Sequence, residues 1–226
     1  MPGRNIPLVN NQVYHILNRG VFLQPIFKGT KDFQRAIELI KYYQNQNPPL
    51  RYSQFLFLST ERREQVLKDL VSRRECWVEI ICFCLMPNHF HFILKQIKKE
   101  GISRFISNFT NSYTRYFNAK YQRTGHLLQG RFKAIRVETD EQLLHLSRYI
   151  HLNPYSSGLV KTIKELEEYP WSSLPEYLGK RQLGFCNKEI VLNQFRYPKQ
   201  YQEFVFNQAD YQRKLERIKH LVLGDE

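Results

Sequence analysis

Residues 76–96 constrain the fold more than any other stretch of this chain. They read CWVEIICFCLM, then Pro87 and Asn88, then HFHFILKQ. The first run is continuously apolar, β-branched and aromatic, as a central strand is. The Pro-Asn turn brings the second run back beside it as a hairpin. Side chains two apart on a strand share a face, so His89 and His91 stand side by side while Phe90 and Phe92 point the other way, into a core. Two neutral imidazoles aimed at one point form half of a divalent metal site. The plainer alternative is a pair of half-buried histidines hydrogen-bonded to the backbone at a strand end.

The remaining elements arrange themselves around this hairpin. QVYHILNR, residues 12–19, reads as a first strand closed by Gly20, and Thr30 and Asp32 open an amphipathic helix with Phe33, Ile37, Ile40 and Tyr43 at helical spacing, ended by Pro48 and Pro49. A segment near 45–74 is inserted next, a loop or hairpin followed by a charged helix, ERREQVLKDLVSRR, with a thin apolar stripe. After the hairpin a helix from about Ile102 to Lys120 puts Phe105, Phe109, Tyr113 and Tyr116 or Phe117 on one face. FKAIRVE is a fourth strand, and Thr139 or Asp140 caps a helix that Pro154 stops at Asn153. The order is β-α-β-β-α-β followed by a helix, which predicts an α+β, ferredoxin-like four-stranded antiparallel sheet. Helices on one face would leave the other free for a ligand or an additional helix. The expected division is a main domain over 1–168, then a Pro- and Ser-rich connector and short helices over 169–226.

The chain has 226 residues and a net charge of +13, which calls for a polyanionic partner, nucleic acid first and an acidic membrane surface second. With 42% hydrophobic and 14% aromatic residues it folds rather than forming a disordered tail. It has no apolar run of membrane-spanning length, and MPGRNIPLVNNQ carries no signal core, so the expected location is the cytosol. Cys76, Cys82, Cys84 and Cys186 do not make a disulfide framework for a chain of this size and read as free thiols. The basic residues concentrate in 101–137, where Arg104, Arg115, Lys120, Arg123, Arg131, Lys133 and Arg136 stand among seven aromatic rings without one Asp or Glu. Cations neutralise phosphates and exposed rings stack unpaired bases, so this span is the expected nucleic-acid-binding surface.

On the last helix of the core, His145, Tyr149 and Asn153 fall at i, i+4 and i+8, in one row. If that row meets the histidine pair, a phenol, an amide and two imidazoles converge. Otherwise Tyr149 is an ordinary helix tyrosine and Asn153 a cap.

CLMPNHFHFIL, RTGHLLQGRFKA and RYIHLNPYSSGLV, in this order, resemble the single-tyrosine HUH transposases, and among them the REP-associated tyrosine transposases and their insertion-sequence relatives. HUH denotes His, a hydrophobic residue and His, here His89, Phe90 and His91, and the resemblance runs over roughly residues 12–178. It implies a divalent metal, Mg²⁺ or Mn²⁺, on the histidine pair, with Asn153 as the third ligand and Tyr149 as nucleophile. The implied reaction is cleavage and rejoining of single-stranded DNA through a 5′-phosphotyrosine, at a short palindromic hairpin. His15 and His145 are the candidates for general base, and the protein acts as a monomer or a homodimer.

Two other readings stand beside it. A non-catalytic single-stranded nucleic-acid-binding module would show rings rather than histidines on its sheet face. A zinc hydrolase would keep the metal and make Tyr149 dispensable. The C-terminal residues 186–226 are expected to assist substrate binding without supplying a catalytic group.

Overall fold

The computed structural model describes residues 7–223, without the side chains of Pro198 and 217–223. The first six residues, where the segment without a signal core begins, and the last three of the C-terminal region lie outside the described residues. The elements are β1 (Val13–Arg19), α1 (Thr30–Tyr43), α2 (Tyr52–Phe55), α3 (Thr60–Ser72), β2 (Val78–Met86), β3 (His89–Gln96), α4 (Gly101–Lys120), β4 (Lys133–Val137) and α5 (Asp140–Ser156). Five further helices follow, α6 (Ile163–Glu167), α7 (Leu174–Tyr177), α8 (Glu189–Leu192), α9 (Pro198–Phe206) and α10 (Ala209–Leu223). The strands form one antiparallel sheet in the order β2-β3-β1-β4, the ferredoxin-like arrangement expected from the element order.

One face of the sheet is covered by α1 and α4. Phe105, Phe109, Tyr113 and Phe117 repeat every fourth residue along α4 and are all buried, with the Phe92 ring 5.9 Å from both Phe105 and Phe109. Each such ring contributes roughly 1.5–3 kcal/mol by leaving water. The inserted segment joins this layer through Tyr52, Phe55, Val66 and Leu70. Asp32 ties the layer together. It is fully buried at the start of α1 and accepts hydrogen bonds from Lys120 Nζ (2.5 Å), Tyr121 Oη (2.7 Å), Tyr116 Oη (3.0 Å) and the Lys28 N–H (2.9 Å). Burial alone would raise its pKa, but these four donors hold it below the ordinary carboxylate value.

The opposite face takes additional helices, the second of the two uses expected for it. Ile81, Cys82, Cys84, Met86 and Ile93 pack beneath α5 and the C-terminal helices, which contribute Leu143, Ile150, Leu174, Tyr177, Val191, Tyr201 and Val205. Because both faces are covered over β2, its apolar run is continuous, although β2 is an edge strand and not the central one its sequence suggests. That edge is sealed by later residues: the Leu85 N–H donates to the Trp171 carbonyl, the Ser173 N–H to Phe83, and the Asn187 N–H to Ile80. Over β1 and β4 the same face stays more open, with Lys133 and Ile135 exposed. Helix α5 begins at the Thr139 cap, whose hydroxyl accepts from the Gln142 N–H, but continues through Pro154 to Ser156 rather than stopping at Asn153. The Ser157 N–H closes the last turn on the Asn153 carbonyl, so only the bond that proline cannot donate is missing. All four cysteines are free.

Candidate active site

The site lies on the face under α5. The β1–β3 register sets Leu17 opposite His91, Arg19 opposite His89 and His15 opposite Ile93. His15, Arg19, His89 and His91 therefore share one face. Phe90 and Phe92 are buried in the layer beneath α4, as alternation requires.

Each histidine of the pair has one ring nitrogen occupied. His89 Nδ1 lies 2.6 Å from Asn88 Oδ1, and Asn88 Nδ2 donates to the Leu23 carbonyl at 3.3 Å, so the amide oxygen receives the His89 Nδ1 proton. His91 Nδ1 lies 2.9 Å from His15 Nε2, with the two rings stacked at 5.1 Å. Nε2 is thus left for a ligand on both rings. Burial lowers the pKa of His89 and His15 to about 4 and holds that of His91 well below its ordinary value, with like charge from its histidine neighbours adding to the effect there. The imidazoles are neutral at pH 7, the state in which they ligate metal.

Tyr149 is half-buried on α5, and its ring meets His91 edge-on at 5.9 Å between centroids. Its carbonyl accepts from Gln212 Nε2 of α10 at 3.2 Å. Asn153, one turn farther along the helix, is 7% exposed, and its Nδ2 is a buried amide nitrogen without a hydrogen-bond partner among the described residues. Turning that amide over puts a ligand oxygen in the same place. Among the described residues no three of His, Cys, Asp and Glu form a metal-holding group. The orphaned Asn153 amide, one turn along α5 from Tyr149, is of a residue type that could add a ligand to the histidine pair.

The structure brings Tyr149 to His91. It turns His145 elsewhere, against Phe204 of α9 and Arg148, because a row at four-residue spacing drifts around the helix and α5 lies between the sheet and the C-terminal helices. His15 is in the site, but its Nε2 is engaged by His91. Of the cations in 101–137, Lys120 is held by Asp32, Arg104 pairs with Glu100 at 3.1 Å, and Arg136 donates to Gln12. Arg115, Arg131 and Lys133 are exposed, and Arg123 reaches the His126 carbonyl. Lys133 follows His15 and Leu17 onto the histidine face, being paired with Leu17.

Asn88, Arg19 and Glu216 escape a reading of the sequence. Asn88 sits in a turn, where asparagine is expected for its backbone alone. Arg19 reaches His89 only through strand pairing, and its positive charge helps to lower the His89 pKa. Glu216 lies one turn beyond Gln212 on α10, close enough for its charge to act on His89 in the opposite sense. No sequence signal points to it, since α10 comes to the site through helix packing.

Among the described residues no helix is long and apolar enough to cross a membrane. No curated protein matches this chain. A solved structure described as "Structure of the REP associates tyrosine transposase bound to a REP hairpin" superposes with a TM-score of 0.51 at 15% identity, covering 83% of this chain and 92% of the other. That likeness establishes the fold. Residues 51–153 match the family model described as Transposase IS200 like. This segment, a little under half of the chain, contains His89, His91, Tyr149 and Asn153 and is similar to the IS200-like transposases.

Proposed function

We propose that this protein is a transposase that cleaves and rejoins single-stranded DNA with Tyr149 as the nucleophile. The observation that carries the reading is the edge-on placement of the Tyr149 ring against His91, on the ring whose Nε2 is left for a ligand. His89, His91 and Asn153 would hold a divalent cation, Mg²⁺ or Mn²⁺, which supplies charge stabilisation to the scissile phosphate and the departing oxygen. Asn88 fixes the tautomer of His89, and His15 Nε2 would accept the His91 Nδ1 proton when a cation occupies Nε2, the role of outer partners of metal-bound imidazoles.

In the reaction the Tyr149 oxygen forms a bond to phosphorus and the bond to the 3′ oxygen breaks. The phenol proton passes to solvent, and the 3′ oxygen takes one up. The protein stays on the 5′ phosphate, and because the phosphodiester energy is kept in the link, a 3′ hydroxyl reverses the step without ATP. Likeness to a complex with a REP hairpin supports a strand next to a hairpin as substrate. Lys133 and Arg131, with Arg115 and Arg123 farther out, would neutralise its phosphates.

The test is a covalent adduct. Incubated with Mn²⁺ and a hairpin-flanked single strand, the protein is expected to form an adduct whose modified peptide contains Tyr149 attached through the 5′ end. Tyr149→Phe should bind DNA and Mn²⁺ normally and form none, whereas Phe variants at Tyr113, Tyr116 and Tyr121 should still react. A label on another tyrosine, or attachment through the 3′ end, would refute the mechanism.

A further inference from the structure

The connection leaving β1 is unusual in conformation and exposure. Phe22 (φ 51°, ψ 32°) and Leu23 (φ 57°) are consecutive non-glycine residues in the left-handed region. Such backbone persists where its surroundings over-determine it, and it clusters at functional sites. Here the surroundings are explicit. The Gly20 N–H donates to the Asn88 carbonyl at 2.8 Å, the Ile26 and Phe27 N–H groups both reach the Pro87 carbonyl, and the Val21 N–H donates to Leu127 at 3.1 Å. A Cβ on Gly20 would lie 2.2 Å from the Gln24 carbonyl oxygen, so no other residue fits there. The product of these constraints is a Phe22 ring that is 89% exposed.

We propose that Phe22 is a stacking platform for an unpaired base beside the scissile phosphate. The proposal rests on the reading of this site as a single-stranded DNA nuclease. The loop is tied to the chemistry through one side chain, since Asn88 bonds His89 Nδ1 with its oxygen and the Leu23 carbonyl with its nitrogen. Arg19, just before the loop, stands opposite His89, and exposed Lys133 lies on the same open face of the sheet. A ring so exposed, one loop away from the histidine pair and next in the chain to a strand face carrying Arg19 and Lys133, suits a base and its phosphate better than an apolar protein surface. Stacking also needs no particular base, because every base offers a π-face.

The experiment measures binding of an oligothymidylate strand carrying one 2-aminopurine, by anisotropy and by quenching of the 2-aminopurine emission, with Mn²⁺ present. Phe22→Ala is expected to weaken binding by about 5- to 150-fold and to relieve the quenching. Phe22→Trp should retain both. Phe57→Ala, which removes a ring 92% exposed on the inserted segment, should change neither. Equal affinity and quenching in Phe22→Ala and the unsubstituted protein would overturn the proposal while leaving the nuclease reading intact. No binding by the unsubstituted protein would overturn both. A change of oligomeric state in Phe22→Ala, measured by light scattering, would put the ring in a protein interface and also overturn it.

Discussion

Replacing His15 with Phe tests the proposed metal site through a residue that would not touch the metal. His15 is 7% exposed and His91 6%, and their rings are nearly parallel, 19° apart, so a phenyl ring fills the same space and keeps the stack. What disappears is the 2.9 Å bond between His15 Nε2 and His91 Nδ1. In the metal-free protein that change is nearly silent, because His91 can move its proton to Nε2 and leave Nδ1 bare. With a cation on Nε2 the proton must sit on Nδ1, where it now has no acceptor, and a buried orphan N–H costs about 1–3 kcal/mol. Outer partners of metal-bound histidines are typically worth about 10- to 100-fold in affinity, or roughly 1.4–2.8 kcal/mol, and the two estimates agree. Calorimetric titration with Mn²⁺ should therefore show a roughly 10- to 100-fold weaker complex at unchanged unfolding midpoint, with partial recovery in His15→Gln, whose amide oxygen is an acceptor. Unchanged Mn²⁺ affinity in a folded His15→Phe protein would mean that His91 does not ligate through Nε2.

Three further outcomes are expected. Reversing the charges of Arg115, Arg123 and Lys133 together should flatten the salt dependence of DNA binding, by roughly 0.7 in the slope of log affinity against log salt for each phosphate no longer neutralised, and an unchanged slope would place the binding surface elsewhere. The depressed pKa of Asp32 gives stability that is present above its ordinary value of 3.8 and lost as pH falls through the lower folded value, so urea midpoints should drop along that acid limb. Asp32→Asn should remove that dependence and lower stability at neutral pH, and an unaltered limb would refute the role of the four donors. Truncation before Gly184 would strip Val191, Tyr201 and Val205, all fully buried, from the layer over β2, and should leave a chain without cooperative unfolding by circular dichroism.

Features that depend on neighbours in sequence were legible in it, and those that depend on pairing were not. The Pro87–Asn88 hairpin, the alternation of His89 and His91 with Phe90 and Phe92, and the Thr139 cap are local, and each lies where its pattern puts it. The aromatic row of α4 was legible too, with Phe117 rather than Tyr116 as its buried end. The place of β2 was not, because burial on both faces looks the same in a central strand and in an edge strand roofed by helices from the far end of the chain. The partnership of His15 with His91 follows from the β1–β3 register, which nothing within either strand announces. Pro154 was misleading for the same reason. Packing of Leu152 and Tyr155 into the layer over the sheet outweighs one missing hydrogen bond. The acid-free span 101–137 also looked more available than it is, since the carboxylate that meets Lys120 comes from α1.

The sealed edge of β2 has a consequence for the order of events during synthesis. The strand that begins the hairpin is closed along its length by Trp171, Ser173 and Asn187, and roofed by Val191, Tyr201 and Val205, so the fold has long-range contacts that span nearly half the chain. His89, His91 and Tyr149 leave the ribosome well before those residues do. A nascent chain holding all its reactive groups still lacks the roof that presses α5 onto the sheet, and contacts of such sequence separation form late. The proposed site is therefore expected to assemble only once the C-terminal helices have emerged, so ribosome-arrested chains ending near residue 170 should be protease-sensitive across α5, whereas chains with those helices fully extruded should be resistant.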